Sequence, residues 1–198
     1  MPARVTPIAL RRAGYADRWR PGYRRALAAI LRRCVREAAA AARTNSVPGL
    51  DDRVGAWASM LIGAKARWLR LAAATGYRLA ADELGLEAGK AAGPLDVSIG
   101  TSPAEFLLEQ DFPGLADWVR TTSLSESQTL ARRLERVWHD AIASRDPETG
   151  AAWTSDEIAN AILERGLALT EARAEMLART GTIYAVNEGA VRRYDDAG

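Results

Sequence analysis

The chain has 198 residues, of which 48% are hydrophobic and 26% are charged, and its formal net charge is +2. This composition is typical of a soluble globular protein and excludes a disordered chain. A single cysteine excludes an intramolecular disulfide, a single histidine excludes a His/His metal site, and the apolar runs are too short for a transmembrane helix. The N-terminal segment lacks the apolar stretch of a secretory signal, so we expect a cytosolic product.

Positive charge is concentrated near the N-terminus. Residues 1–45 hold eleven arginines and two acidic residues, a net charge of +9 within a chain whose total is +2. Such a basic segment favours contact with a polyanion or an acidic partner, and the alternative is an arginine face that is simply solvated. The residues expected to contact a polyanion are Arg11, Arg12, Arg24, Arg25, Arg32, Arg33 and Arg36.

The N-terminal half is rich in helix-forming residues, and alanine alone makes up about a fifth of the chain. Apolar residues at a 3.6-residue period predict a first helix over about residues 23–43, opening at Gly22-Tyr23, and a second over about 51–84. Glycines and a proline within residues 85–102 predict a linker. It separates a basic N-terminal helical region, residues 1–84, from a C-terminal helical region, residues 103–198.

The C-terminal region is also predicted to be helical. A first helix is predicted to start with Ser102 as its N-cap and Pro103 as its first residue. Pro113 restarts the chain, and Ser123 or Ser125 caps a helix that reaches about Arg145. No segment shows the alternating pattern of a strand. The predicted fold is therefore all-α, an elongated protein built from long amphipathic helices.

Residues 154–180 resemble a helix-turn-helix in outline. Thr154 and Glu157 form a capping box, Gly166 is predicted to end a short helix, and Thr170 is predicted to cap the last helix. Acidic Glu171 and Glu175 near the start of that last helix would repel phosphate, so we disfavour DNA recognition by this element.

A row of polar residues follows the last helix at steps of seven: Arg173, Thr180, Asn187 and Tyr194. Seven residues make about two turns, so the row lies along one side of the helix. If this side is buried, the amide of Asn187 needs partners, and Asn187→Ala should cost about 1–3 kcal/mol. The alternative is a half-buried helix with the row at its boundary. The stripe expected to be buried beside the row comprises Leu169, Ala172, Met176, Leu177, Ile183, Tyr184, Ala190 and Val191.

Enzyme signatures are missing from the sequence. It contains no G-x-S-x-G elbow, no Walker loop and no G-x-G-x-x-G motif after a strand. His139 and Asp140 are adjacent and therefore point in different directions on a helix. We expect no catalytic residue, no bound metal, no cofactor and no small-molecule ligand.

Residues 173–194 resemble the signature of a known family. The run Arg173-Ala174-Glu175-Met176-Leu177-Ala178-Arg179-Thr180-Gly181-Thr182, followed by Ala185, Asn187, Gly189 and Tyr194, is similar to the C-terminal signature of the phage Mu F-like head morphogenesis (minor capsid) proteins. That signature reads approximately R-A-x-x-[IL]-A-R-T-E-T-x-x-A-x-N-x-G, so Gly181 replaces the usual glutamate. The resemblance covers about residues 121–198, and the motif residues that it marks for assembly are Arg173, Arg179, Thr180, Thr182, Asn187, Gly189 and Tyr194.

The resemblance implies a structural virion protein without enzymatic activity. Such a protein is assembled in the host cytoplasm and associates with the portal and with capsid or scaffold proteins. The basic N-terminus is compatible with non-specific contact to packaged DNA. The alternative, from another class, is a cytosolic helical DNA-binding regulator that uses the same arginines. A portal gene beside this gene would favour the virion protein.

Overall fold

The computed structural model describes residues 7–44, 49–85, 104–144, 148 and 150–197, without the side chains of residues 7–11 and 13. Five helices account for 92% of these described residues, and no strand occurs among them, which confirms the predicted all-α fold. The helices are α1 (Pro7–Arg43), α2 (Asp51–Glu83), α3 (Ala104–Asp111), α4 (Pro113–Ala143) and α5 (Ser155–Ala197). No helix in these ranges combines the length and hydropathy needed to cross a membrane.

Helix α1 begins well before its predicted start at Gly22-Tyr23. It continues through Pro21, although proline has no N–H to donate to the preceding turn. Packing against α2 stabilises the helix at this point. Tyr23 is fully buried, and a Cβ placed on Gly22 would lie only 2.4 Å from the ring of Trp68. Local propensity predicted a helix start here, whereas the tertiary contact with α2 keeps the helix continuous.

The predicted turn at Gly166 is wrong, because α5 is one helix from Ser155 to Ala197. Gly166 is buried inside it, and a Cβ there would lie 2.6 Å from a methyl group of Val35. Close packing explains this glycine better than helix termination. The hydroxyl of Thr170 donates to the carbonyl of Leu167 at 2.9 Å, within its own helix, and so it caps nothing. The helix-turn-helix interpretation fails for the same reason.

Helix α4 is likewise continuous, since Ser123 and Ser125 lie inside it. The predicted capping box at the start of α5 is confirmed. The N–H of Glu157 donates to the hydroxyl of Thr154 at 3.3 Å, and the N–H of Thr154 donates to the Glu157 carboxylate at 2.6 Å. At the end of α2, Gly85 adopts a φ of 66°, which glycine reaches without strain.

The described helices form two compact units. Unit 1 comprises Met1–Arg25, Ile62–Val119 and Glu175–Gly198, and unit 2 comprises Ala26–Leu61 and Arg120–Ala174. Each unit draws residues from both sides of the predicted linker, residues 85–102. Apart from Gly85, that linker lies outside the described residues.

Each unit has its own hydrophobic core. The core of unit 2 contains many alanines and larger side chains from four helices and from the residue just before α2. These larger side chains are Val35, Leu50, Trp57, Leu134 and Ile162. The indole N–H of Trp57 donates to the Glu37 carboxylate at 2.8 Å, which satisfies the one polar atom of that ring. In unit 1 the largest fully buried apolar side chains are Tyr23, Leu69, Leu108 and Leu115.

Candidate assembly surfaces

Helices α2 and α5 approach each other in unit 1 closely enough for direct backbone contact. A Cβ placed on Gly189 would lie 1.8 Å from the carbonyl oxygen of Ala73, and one on Gly76 would lie 1.8 Å from that of Val186. No side chain fits at such distances, so both positions require glycine. Gly189, one of the motif residues, is therefore a packing residue at the α2–α5 crossing.

Because α5 packs against α2 in this way, much of the side of α5 that was expected to be buried faces solvent instead. Small residues such as Ala178, Ala185 and Gly189 face the core of unit 1, because only small side chains fit against α2 at this distance. The predicted burial is wrong for Ala172 and for four of the large side chains, whereas Leu177 and Tyr184 are half-buried and Ala190 is buried as expected. The exposed large members of the stripe are Leu169, Met176, Ile183 and Val191.

The motif residues on this part of α5 separate into inward and outward positions. Arg179, Thr180 and Asn187 are exposed. Thr182 is buried, and its hydroxyl donates to the carbonyl of Ala178 at 2.8 Å. The outward residues form what we call the α5 face, defined as Met176, Thr180, Ile183, Asn187 and Val191.

Asn187→Ala should change the free energy of unfolding by less than about 0.5 kcal/mol, because the amide is solvated. The loss of 1–3 kcal/mol expected for a buried amide does not apply here. Thr182→Ala is the comparison, since it removes a buried hydroxyl and a methyl group and should cost about 1–2 kcal/mol. Urea unfolding of both variants tests this. A loss above about 1 kcal/mol for Asn187→Ala would place that side chain in the packed interior.

Tyr194 belongs to a polar network that joins α1, α2 and α5. Arg12 donates to the Glu83 carboxylate at 2.8 Å and to the hydroxyl of Tyr194 at 2.7 Å. The hydroxyl of Tyr194 donates in turn to Glu83, and this hydrogen bond is the main cause that raises the pKa of Tyr194. Nearby, the buried Arg193 donates to the hydroxyl of Tyr77 at 3.1 Å. Tyr194 was predicted as a motif residue and Arg12 as a contact for a polyanion. The two residues are instead hydrogen-bonded to each other within the chain.

Most of the arginines that were expected to contact a polyanion, and whose side chains the structure describes, form ion pairs within the chain. Arg25 and Arg36 are exposed and form no ion pair with any described residue. The side chain of Arg11 lies outside the described residues. Internal carboxylates therefore compensate much of the positive charge of α1. The pairs are Arg12 with Glu83, Arg24 with Glu175, Arg32 with Glu171 and Arg33 with Glu37.

Arg173 lies in a cleft of unit 2. Its Nε donates to Oε2 of Glu126 at 2.7 Å, and its Nη2 donates to Oε1 of the same carboxylate, which makes the pair bidentate. Sequence periodicity could not locate this cleft, because three helices that are distant in the chain contribute to it. The lining residues are Leu31 from α1, Glu126, Thr129, Leu130 and Arg133 from α4, and Leu169, Thr170 and Arg173 from α5.

The single cysteine and the single histidine of the chain lie in different surroundings. Cys34 is fully buried, and this burial is the main cause that raises the pKa of its thiol to about 12. His139 is exposed, with its ring edge-on to Trp138 at a centroid distance of 4.8 Å. Within the described ranges, no group of three or more His, Cys, Asp or Glu side chains is placed to hold a metal ion.

Cys34 should resist alkylation in the folded protein. With a pKa of about 12, only about one thiol in ten thousand is ionised at pH 8, and the sulfur is shielded from solvent. The unfolded thiol ionises near pH 8.5, so the folded state holds its proton more tightly and stability should fall as the pH rises above about 9. Iodoacetamide at pH 8, followed by mass spectrometry, should modify the chain only in denaturant. Rapid modification without denaturant would contradict this burial.

No protein-family model, curated protein or solved structure matches the chain. Function is therefore inferred from the α5 face, the cleft of unit 2 and the sequence pattern of residues 173–194.

Proposed function

We propose that the chain is a structural virion protein, a minor capsid or head morphogenesis protein that binds the portal and capsid or scaffold proteins. The observation that carries the proposal is the arrangement of α5 in unit 1. Its small residues hold it against α2, while Met176, Ile183 and Val191 are each more than two-fifths exposed. Several large apolar side chains along one helix side suit recognition by another protein.

The geometry of the α5 face supports docking of an elongated partner element. Its members follow one another at steps of three or four residues from Met176 to Val191, so they form a nearly straight strip about 22 Å long. Thr180 and Asn187 interrupt the apolar residues with groups that both donate and accept hydrogen bonds. The motif residues Thr180 and Asn187 thereby become contact residues, whereas Gly189 and Thr182 hold the helix in place.

The test is incorporation into assembled heads. The chain is expressed with its neighbouring genes, DNA-filled heads are purified on a density gradient, and the chain is quantified by mass spectrometry. We expect it to co-purify with heads, and we expect Ile183→Asp to reduce incorporation at least about tenfold by burying a charge at the contact. Phe106→Asp is the matched control, because Phe106 is a more exposed apolar residue of unit 1 outside the α5 face.

Two results would contradict the proposal. One is the absence of the chain from purified heads while the soluble fraction contains it. The other is equal incorporation of Ile183→Asp and Phe106→Asp, which would show that the α5 face does not contribute to assembly.

Contact with packaged DNA is proposed as a secondary, non-specific interaction. Because most described α1 arginines already face carboxylates, we expect weak binding that is equal for unrelated duplexes and falls with salt. Log K should drop by about 0.9 per decade of salt for each phosphate contact. Fluorescence anisotropy with several duplexes at a series of salt concentrations measures this. A tight, salt-resistant preference for one duplex would instead indicate a DNA-binding regulator.

A further inference from the structure

The cleft of unit 2 has apolar walls that remain accessible. Leu31 from α1 and Leu130 from α4 form the inner part, and Leu169 from α5 stands at the edge with 41% of its surface exposed. The cavity between them has a volume of about 20 Å³ and opens to solvent. A volume of this size holds about one water molecule, so an apolar side chain of a partner would cover Leu130 and Leu169 at the mouth of the cleft.

The charges around the cleft are unbalanced. Glu126 and Arg173 neutralise each other through their bidentate pair. Arg133, about two turns beyond Glu126 on α4, is exposed and forms no hydrogen bond or ion pair with any described residue. Arg136 lies one turn beyond it, is also exposed, and likewise has no described partner. Two like charges three residues apart on a helix repel each other, and an added anion would relieve that repulsion.

We propose that this cleft binds an acidic, leucine-bearing segment of a partner protein. An apolar side chain of the partner packs on Leu130 and Leu169 at the mouth of the cleft, and a neighbouring carboxylate pairs with the guanidinium of Arg133. The apolar walls disfavour a nucleic acid, which would leave Leu169 uncovered. The site belongs to unit 2 and shares no residue with the α5 face of unit 1, and it does not depend on the chain being a virion protein.

The pairing of Arg173 with Glu126 gives the cleft its selectivity. Because the only carboxylate of the lining is already held by Arg173, a basic segment finds no free acceptor there and meets the charge of Arg133. An acidic segment meets an available cation at the same place. Arg173, marked by the family pattern, thus acts as a positioning residue that masks Glu126.

Fluorescence anisotropy with two capped, labelled peptides tests the proposal on the full chain. One peptide has leucines three and four residues apart with glutamates at the other positions, and the second has lysines in place of the glutamates. The unaltered chain should bind the glutamate peptide at least about tenfold more tightly than the lysine peptide at low salt. This preference should shrink as salt is added, because the pair with Arg133 is exposed.

Matched variants separate the cleft from the rest of the surface. Leu169→Ser should weaken binding of the glutamate peptide about tenfold, whereas Leu124→Ser, an equally exposed leucine of α4 outside the lining, should not. Arg133→Glu should weaken it several-fold, and Arg132→Glu, its exposed neighbour outside the lining, should have a smaller effect. Ile183→Asp, in the α5 face, should leave this binding unchanged while it impairs head incorporation.

Three results would overturn the assignment. They are equal binding of the two peptides at low salt, equal effects of Leu169→Ser and Leu124→Ser, and displacement of the bound glutamate peptide by duplex DNA. The chain could also still enter heads while every variant, including the controls Leu124→Ser and Arg132→Glu, loses peptide binding. That result would overturn the cleft assignment alone and would leave the virion proposal standing.

Discussion

Gly189→Ala should lower the free energy of unfolding by about 2–3 kcal/mol. The added Cβ would lie 1.8 Å from the carbonyl oxygen of Ala73, and a backbone atom cannot move aside as a flexible side chain can. Helices α2 and α5 would have to separate, which also opens the contacts around Gly76. The intrinsic gain of alanine over glycine in a helix, about 1 kcal/mol, offsets only part of this cost.

Gly63→Ala is the matched control for this prediction. Gly63 also lies inside a helix, but it is exposed, and apart from its chain neighbours and the backbone of its own helix no atom lies within 4 Å of the position of an added Cβ. Its substitution should therefore raise the stability by about 0.5–1 kcal/mol, the opposite sign. Urea unfolding of both variants measures the difference. Stabilisation by both substitutions would mean that α2 and α5 do not touch through their backbones.

Asp111→Ala should cost about 3–5 kcal/mol. The Nε of Arg70 and Oδ2 of Asp111 are 2.6 Å apart, and the two side chains are only 12% and 3% exposed. Removing the carboxylate leaves the guanidinium of Arg70 shielded from water without its partner, which is the costly half of a buried ion pair. The pair joins α2 to α3 within unit 1, so its loss weakens the docking of α3.

Two further variants isolate the cause of that loss. Asp17→Ala breaks the exposed pair of Arg20 with Asp17 and should cost less than about 0.5 kcal/mol. The double variant Arg70→Met/Asp111→Leu replaces both charges by apolar groups and should recover most of the stability. If the double variant were as unstable as Asp111→Ala, loss of packing rather than an unpaired charge would explain the effect.

These stability variants are useful because they act on residues other than the contact surfaces. Gly189 and Asp111 are buried, whereas Ile183 and Leu169 are exposed. Substitutions at the exposed positions should therefore alter binding while the unfolding midpoint stays nearly constant. A combined measurement of stability and binding separates damage to the fold from damage to an interface.

The amino-acid sequence by itself determined the all-α class, the span of α2 and the capping box at Thr154. These features depend on interactions between residues that are close in the chain: helix propensity, the 3.6-residue period, and hydrogen bonds over three or four residues. The absence of enzyme motifs and the positive charge of residues 1–45 were also evident from the sequence. Patterns of this kind can be recognised in the sequence without knowing which helices lie next to one another.

The tertiary structure alone decided which side of α5 is buried and that the helix continues through Gly166. Met176, Ile183 and Val191 point outward because the small residues of α5 pack against α2, which lies too close for even the Cβ of alanine at Gly189. Gly166 is an unbroken part of α5 because Val35 occupies the place of its side chain. The internal partners of the α1 arginines and the cleft beside Arg173 come from other helices. Burial and pairing of this kind depend on contacts between residues far apart in the chain, which periodicity along one helix does not encode.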